Sequence, residues 1–220
     1  MCGRYTLASS SEELVETFDV PGLTFEHRPR YNIAPGQEAP IVAEDDRGRR
    51  MGLMRWGLVP SWAAEVGRGF VNARGESVGR TPSFRDAFAT RRCVVPADGF
   101  YEWSGEARGR APYWFSGVDG GILSMAGIWE RWSGPGGTPH HGFAILTVAA
   151  NDDVAGVHGR MPVLLDPDGV GRWLDRASTP QAAGALVVPS PTGTLRGWPV
   201  SRRVNRTSED DAELIAEVRS

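Results

Sequence analysis

The chain has 220 residues, of which 40% are apolar and 23% charged, and a net charge of −3 at pH 7. That length suits a single domain over residues 1–220 able to bury about 70% of its unfolded surface, and no apolar run approaches the ~20 residues of a membrane span. With neither a secretory signal nor a disulfide framework, the expected location is the cytoplasm; Cys2, Cys93 and four scattered histidines offer no metal spacing, and no cofactor is expected.

The chain opens MCGRYTL. A residue as small as Cys2 permits removal of Met1, which would leave an α-amine and a thiol on one residue. SSSEELVETF reads as a short helix, with a serine cap, glutamates in the first turn, and Leu14 and Phe18 four apart on one face. RWGLVPSW sets Trp56 and Trp62 with an arginine around a proline turn; tryptophans usually pack in cores, but exposed indoles beside arginine suit stacking on unpaired bases. In NARGES, Asn72 and Arg74 are two apart and share one strand face. TPSFRDAFA predicts a second helix, with Thr81 as cap and Pro82 in the first turn.

From residue 91 the pattern is of strands. RRCVVP, GFYEW, PYWFSG, ILSMAGIWERW, GFAILTVAA and MPVLL are short, rich in aromatic and β-branched residues, and separated by Gly or Pro turns. GPGGTPHHG reads as an exposed hairpin loop, and TSEDDAELIAEVRS as a closing helix with an apolar side of Leu214, Ile215 and Val218. No alternation with long helices suggests a parallel sheet. The fold class expected is α+β, with a mostly antiparallel, barrel-like β core and peripheral short helices.

All 24 basic residues are arginine. Guanidinium forks bind phosphate bidentately, so a groove could hold nucleic acid despite the acidic balance. Amine chemistry on a carbonyl substrate, lacking lysine, would fall to the α-amine.

Glu102 stands between Tyr101 and Trp103 in an apparent strand, so alternation puts it on the face opposite the aromatics. Local pattern favours a solvent-exposed glutamate; the alternative is a carboxylate in an aromatic-rimmed cleft, with a raised pKa suited to proton transfer. Asp98 competes for that role, but ADG more naturally forms a turn. His158 lies in a Gly-flanked loop and is balanced between loop residue and catalyst. Cys93 reads as a core thiol.

MCGRYTL, RYNIAPGQ, RWGLVPSW, NARGES, RCVVPADGFYEW and HGRMPV follow in this order from residue 1 to about 165. Together they resemble the SOS response-associated peptidase (SRAP) family. The resemblance implies a sensor that captures abasic sites in single-stranded DNA covalently, through Cys2 after loss of Met1. It places Cys2, Asn72, Glu102 and His158 at active-site positions. Arg4, Arg74 and Arg160 fall on positions for DNA or the reacting sugar, and Asn32, Pro35 and Trp56 on motifs lining the same cleft. It further implies a monomer acting at the nucleoid during DNA damage, with fork or 3′-junction DNA as a possible context, and associated lyase or peptidase activity.

Three other readings stay open: an N-terminal-nucleophile glutamine amidotransferase, a thiol peptidase using Cys2 with His158 and Glu102 or Asn72, and a non-covalent single-strand binder using Trp56, Trp62 and arginines.

Overall fold

The computed structural model describes residues 2–105, 109–134 and 139–218. In chain order these form β1 (Tyr5–Leu7), α1 (Ser11–Phe18), β2 (Arg30–Ile33), β3 (Glu38–Asp45), β4 (Gly48–Trp56), β5 (Asn72–Arg74), α2 (Arg85–Thr90), β6 (Arg92–Ala97) and β7 (Gly99–Ser104). There follow β8 (Ala111–Gly117), β9 (Leu123–Trp132), β10 (His140–Ala149), α3 (Asp152–Ala155), β11 (Arg160–Pro162), β12 (Leu164–Leu165), α4 (Pro167–Leu174), α5 (Pro180–Gly184) and β13 (Leu195–Pro199). The α+β expectation holds. No helix among the described residues is long and apolar enough to cross a membrane.

One sheet closes on itself, running β10, β4, β3, β6, β9 and back to β10. Closure leaves no free edge within the ring. Its pairings are antiparallel except those of β10 with β4 and with β5, which are short and parallel. The second sheet, in the order β13-β8-β7-β1-β2, is antiparallel throughout.

Two features of this topology build the site. Ile145 of β10 pairs with Gly127 of β9 and with Asn72 of β5, and Thr147 pairs with Arg74 of β5 and Pro162 of β11. β5 and β11 therefore flank the C-terminal half of β10 on opposite edges. In the other sheet β1 lies between β2 and β7, with Tyr5 opposite both Ile33 and Phe100. Tyr5 then packs edge-on against Trp56 at 5.1 Å, and Trp56 stacks on Phe143 at 6.3 Å, which locks the two sheets together.

α1 forms as its sequence dictates. Ser10 accepts from Glu13 N–H while Glu13 reaches back to Ser10 N–H, and Leu14 and Phe18 are buried. The expected α2 is shorter at its start, because Thr81 donates its hydroxyl to the Ser77 carbonyl instead of capping. MPVLL divides into β11 and β12 at Val163, whose N–H goes to Leu146 and whose carbonyl accepts from Ala126. The 135–138 part of the expected hairpin loop lies outside the described residues, though the flanking β9 and β10 pair antiparallel.

The closing helix is corrected. Among its described residues it holds only a 3₁₀ turn at Ala212–Ile215, because tertiary bonds claim its backbone: Trp198 Nε1 donates to the Ile215 carbonyl, and Val218 N–H goes to Pro199. Leu214 is still buried, with Tyr101, Trp114, Val200 and Val204.

Gly99 marks the tightest point of β7. A Cβ there would lie 2.4 Å from the Phe115 carbonyl oxygen and 2.5 Å from the Trp114 ring. Gly99→Ala should cost about 1–3 kcal/mol and lower Tm by roughly 3–10 °C, read by thermal unfolding; an unchanged Tm would contradict this packing.

Candidate active site

β1 carries Cys2 into the interior. The Arg4 carbonyl accepts from Tyr101 N–H at 2.9 Å, which extends the Tyr5–Phe100 register toward Cys2, while the Thr6 carbonyl accepts from Asp98 N–H at 2.8 Å, one residue out of that register. Beyond Arg4, Cys2 comes close enough to Glu102 for the carboxylate to act on its thiol. Cys2 is fully buried, with Sγ 4.0 Å from the Arg4 carbonyl. Burial, reinforced by the Glu102 carboxylate, pushes its thiol well above the ordinary value, so the sulfur is held as neutral S–H.

β5 brings Asn72 to the same place. Its Nδ2 donates to the Cys2 carbonyl at 2.9 Å, fixing the peptide that bears the thiol. Its Oδ1 is buried and accepts no hydrogen bond from the described residues.

β11 and the turn after α3 bring His158. The turn is closed by His158 N–H to the Val154 carbonyl at 3.0 Å. Its ring Nδ1 lies 3.0 Å from Arg160 N, 3.1 Å from the Arg160 carbonyl and 3.7 Å from Glu102 Oε1. Glu102 is 2% exposed. Burial raises its pKa, while His158 works in the opposite direction. The carboxyl is therefore poised to hold or release a proton nearer neutrality than an exposed glutamate.

The expectation of a solvent-exposed Glu102 is thus corrected. β7 is an interior strand with both faces covered: Tyr101 turns to the cluster with Val204 and Leu214, and Glu102 to Cys2. Asp98 plays a structural part, accepting from the Ala8 and Ser9 amides and from Ser9 Oγ. Cys93 is buried in the core with its thiol also pushed up by burial.

The arginines divide. Arg74 is exposed at the end of β5 and makes no ion pair with the described residues. Arg160 is engaged bidentately by Glu76, at 2.5 and 3.0 Å, and also donates to Thr147. Glu76 is held below the usual carboxylate range by that guanidinium. Arg4 is turned inward, with Nη1 2.6 Å from Asn32 Oδ1 and 2.7 Å from the Val204 carbonyl. Asn32 is fully buried and Pro35 is exposed on the turn between β2 and β3.

Trp56 is also corrected as a stacking surface. It is fully buried, and its Nε1 donates to the Val71 carbonyl at 2.8 Å, so it cannot meet a base. Trp62, at 66% exposure, presents the available indole. Glu76 was not singled out from the sequence; the signal was an acid two residues after Arg74 in an otherwise cationic motif. Among the described residues no three His, Cys, Asp or Glu side chains group as a metal site.

With Cys2, Asn72, Glu102 and His158 converging in this fold, comparison with known proteins is decisive. The family model described as SOS response associated peptidase (SRAP) matches residues 1–207. The chain belongs to this family. It is 34% identical to the abasic site processing protein YoaM of Bacillus subtilis, over 98% of this chain and 97% of that protein. It is 32% identical to abasic site processing protein HMCES of Gallus gallus, over 87% of this chain and 67% of that protein. Similarity to the Escherichia coli protein YedK is 28%, over 99% of this chain and 100% of that one. A crystal structure of a Bacteroides thetaiotaomicron protein shares the fold, with TM-score 0.89, 22% identity, and coverage of 99% of this chain and 100% of that one.

The SRAP site has a measurable electrostatic consequence. A carboxyl whose pKa is raised on folding stays protonated in the native state where the unfolded chain has already lost its proton, so ionising it costs stability as pH rises above the ordinary value near 4.5. Glu102→Gln should therefore raise Tm relative to the wild type at pH 7–8, and the gain should shrink toward zero as pH falls to about 4. A deficit at neutral pH that disappears in acid would show instead that ionised Glu102 stabilises the fold.

Proposed function

We propose that the chain captures abasic sites in single-stranded DNA as a covalent thiazolidine on Cys2, formed after Met1 is removed. The observation that carries this reading is the convergence of Asn72, Glu102 and His158 on one N-terminal cysteine. The names of its relatives as abasic site processing proteins support the substrate class.

The chemistry follows from the groups present. An abasic deoxyribose equilibrates with an open-chain aldehyde, and His158 assists opening of the sugar ring. The α-amine, with an ordinary pKa of about 7.7–8.0, is partly unprotonated at neutral pH and adds to the aldehyde carbon. A proton from Glu102 lets the hydroxyl leave as water, giving an imine. The neutral thiol then loses its proton to the Glu102 carboxylate as sulfur bonds the carbon of the protonated imine, whose C=N electron pair becomes the nitrogen lone pair. A five-membered ring results, with one water released overall.

The raised thiol pKa fits this order, since the amine attacks first and the sulfur needs activation only when the electrophile is already bound. Attack by a free thiolate on a peptide, as in proteolysis, is disfavoured by the same burial. Asn72 orients the residue through its carbonyl, and its buried Oδ1 is an acceptor for the α-amine. Arg74 and Trp62 are exposed and serve in this reading as the cation and indole for a strand's phosphate and base.

Ring closure removes the imine that would promote β-elimination. Cys2→Ser keeps the amine but stops at the imine, so it should lose the heat-stable adduct and nick the abasic strand instead, as seen on a denaturing gel. A heat-stable adduct from Cys2→Ser would contradict the thiazolidine. Glu102→Gln, with Cys2 intact, should slow adduct formation by about 10²-fold or more in a time course, the ordinary scale of a lost proton-transfer group; an unchanged rate would remove Glu102 from the mechanism.

A further inference from the structure

Asn32 is a fully buried polar residue whose bonds reach two distant parts of the chain. Its Nδ2 faces the carbonyls of Val204 at 3.3 Å, Arg206 at 3.0 Å and Glu209 at 2.7 Å. Its Oδ1 accepts from Arg4 Nη1, which also donates to the Val204 carbonyl. One amide thus ties β2 and residues 204–209 to the residue two positions after Cys2.

The anchor is itself stiff. Arg203 bonds Glu209, Asp211 and Glu213, and Asp210 takes both the Arg30 guanidinium and the Tyr31 N–H. Ahead of β1, the backbone bonds of residues 2–4 reach two other strands. Past Tyr5, the Arg4 carbonyl has the Tyr101 N–H, and the Cys2 carbonyl has Asn72. The Arg4 side chain is half-buried with no carboxylate pairing among the described residues, and burial lowers its pKa, so its charge is met by the Asn32 amide and a backbone carbonyl.

We propose that Asn32 is a positioning residue for the reaction: through Arg4 it fixes the β1 end that presents Cys2 to Glu102 and Asn72, using the C-terminal segment 204–209 as its anchor. The inference rests on the capture reading given above. Its loss should leave DNA recognition by Arg74 and Trp62 in place while letting Cys2 wander. A displacement of about 1 Å in reacting groups costs up to ~10²-fold in rate.

The test measures the limiting first-order rate of adduct formation and the half-saturating concentration of abasic single strand separately, well below each variant's Tm. Asn32→Ala should lower the limiting rate 10- to 100-fold with half-saturation within about twofold of the wild type. Arg4→Met should do the same, and the double variant should be no slower than the slower single one, because both act through one link. If Asn32→Ala does not fold, Arg4→Met carries the rate test alone.

A wild-type limiting rate in these variants, or fully additive losses, would overturn the inference, as would a change confined to half-saturation. Amide exchange keeps the result separate from the capture reading. If wild-type protein forms no adduct, that reading fails, and faster exchange at the Tyr101 N–H in Asn32→Ala would still support the positioning link, whereas unchanged exchange there would overturn it.

Discussion

The antiparallel pairing of β1 with β7 is the contact on which the site depends. The pairs of Tyr5 with Phe100 and Thr6 with Gly99, and the backbone bond from Tyr101 to Arg4, bring the residues before β1 alongside the part of β7 that carries Glu102. A slip of one residue in β7 would exchange the faces of Glu102 and Tyr101 and carry the carboxylate toward the cluster that holds Tyr101. The register is held from the other side by β2, and from beneath by Tyr5 against Trp56. Trp56 therefore serves the site as a foundation and not as a surface.

The second support is β10. Because it binds β5 on one edge and β11 on the other, a single strand spaces Asn72 from His158, and the Glu76–Arg160 pair closes a clasp across its end at Thr147. Arg160 also holds the His158 ring by its own backbone. The site's electrostatics follow from this enclosure. Two acidic groups, the thiol of Cys2 and the carboxyl of Glu102, are buried side by side and each resists ionisation.

Much of this was legible in the sequence, for identifiable reasons. α1 declared itself through a capping box and two apolar residues four apart, all local signals. The strands from β6 to β10 were legible because β-branched and aromatic runs are bounded by Gly and Pro. The closing helix failed because its acids serve Arg203 and Asp211 caps Glu213, while its carbonyls go to Trp198 and its neighbours to β13. Those partners are remote in sequence. Glu102 was misread locally for the same reason: alternation reports two faces but not that both are covered. Ordered motifs named four residues that the fold brings together, yet motif membership could not separate Arg74, which faces solvent, from Arg4 and Arg160, which are bound within the fold. The division rests on Asn32 and Glu76, whose partners only the fold brings near.

The measurement that tests the account most directly is the intact mass of the product formed when wild-type protein meets a short single strand with one abasic site, followed by proteolysis to locate the link. The account predicts the mass of the chain lacking Met1 plus that of the strand minus one water, with the DNA on the peptide that begins at Cys2. A link at any other residue, an adduct on a chain that retains Met1, or no covalent product from protein shown to have lost Met1 would contradict it.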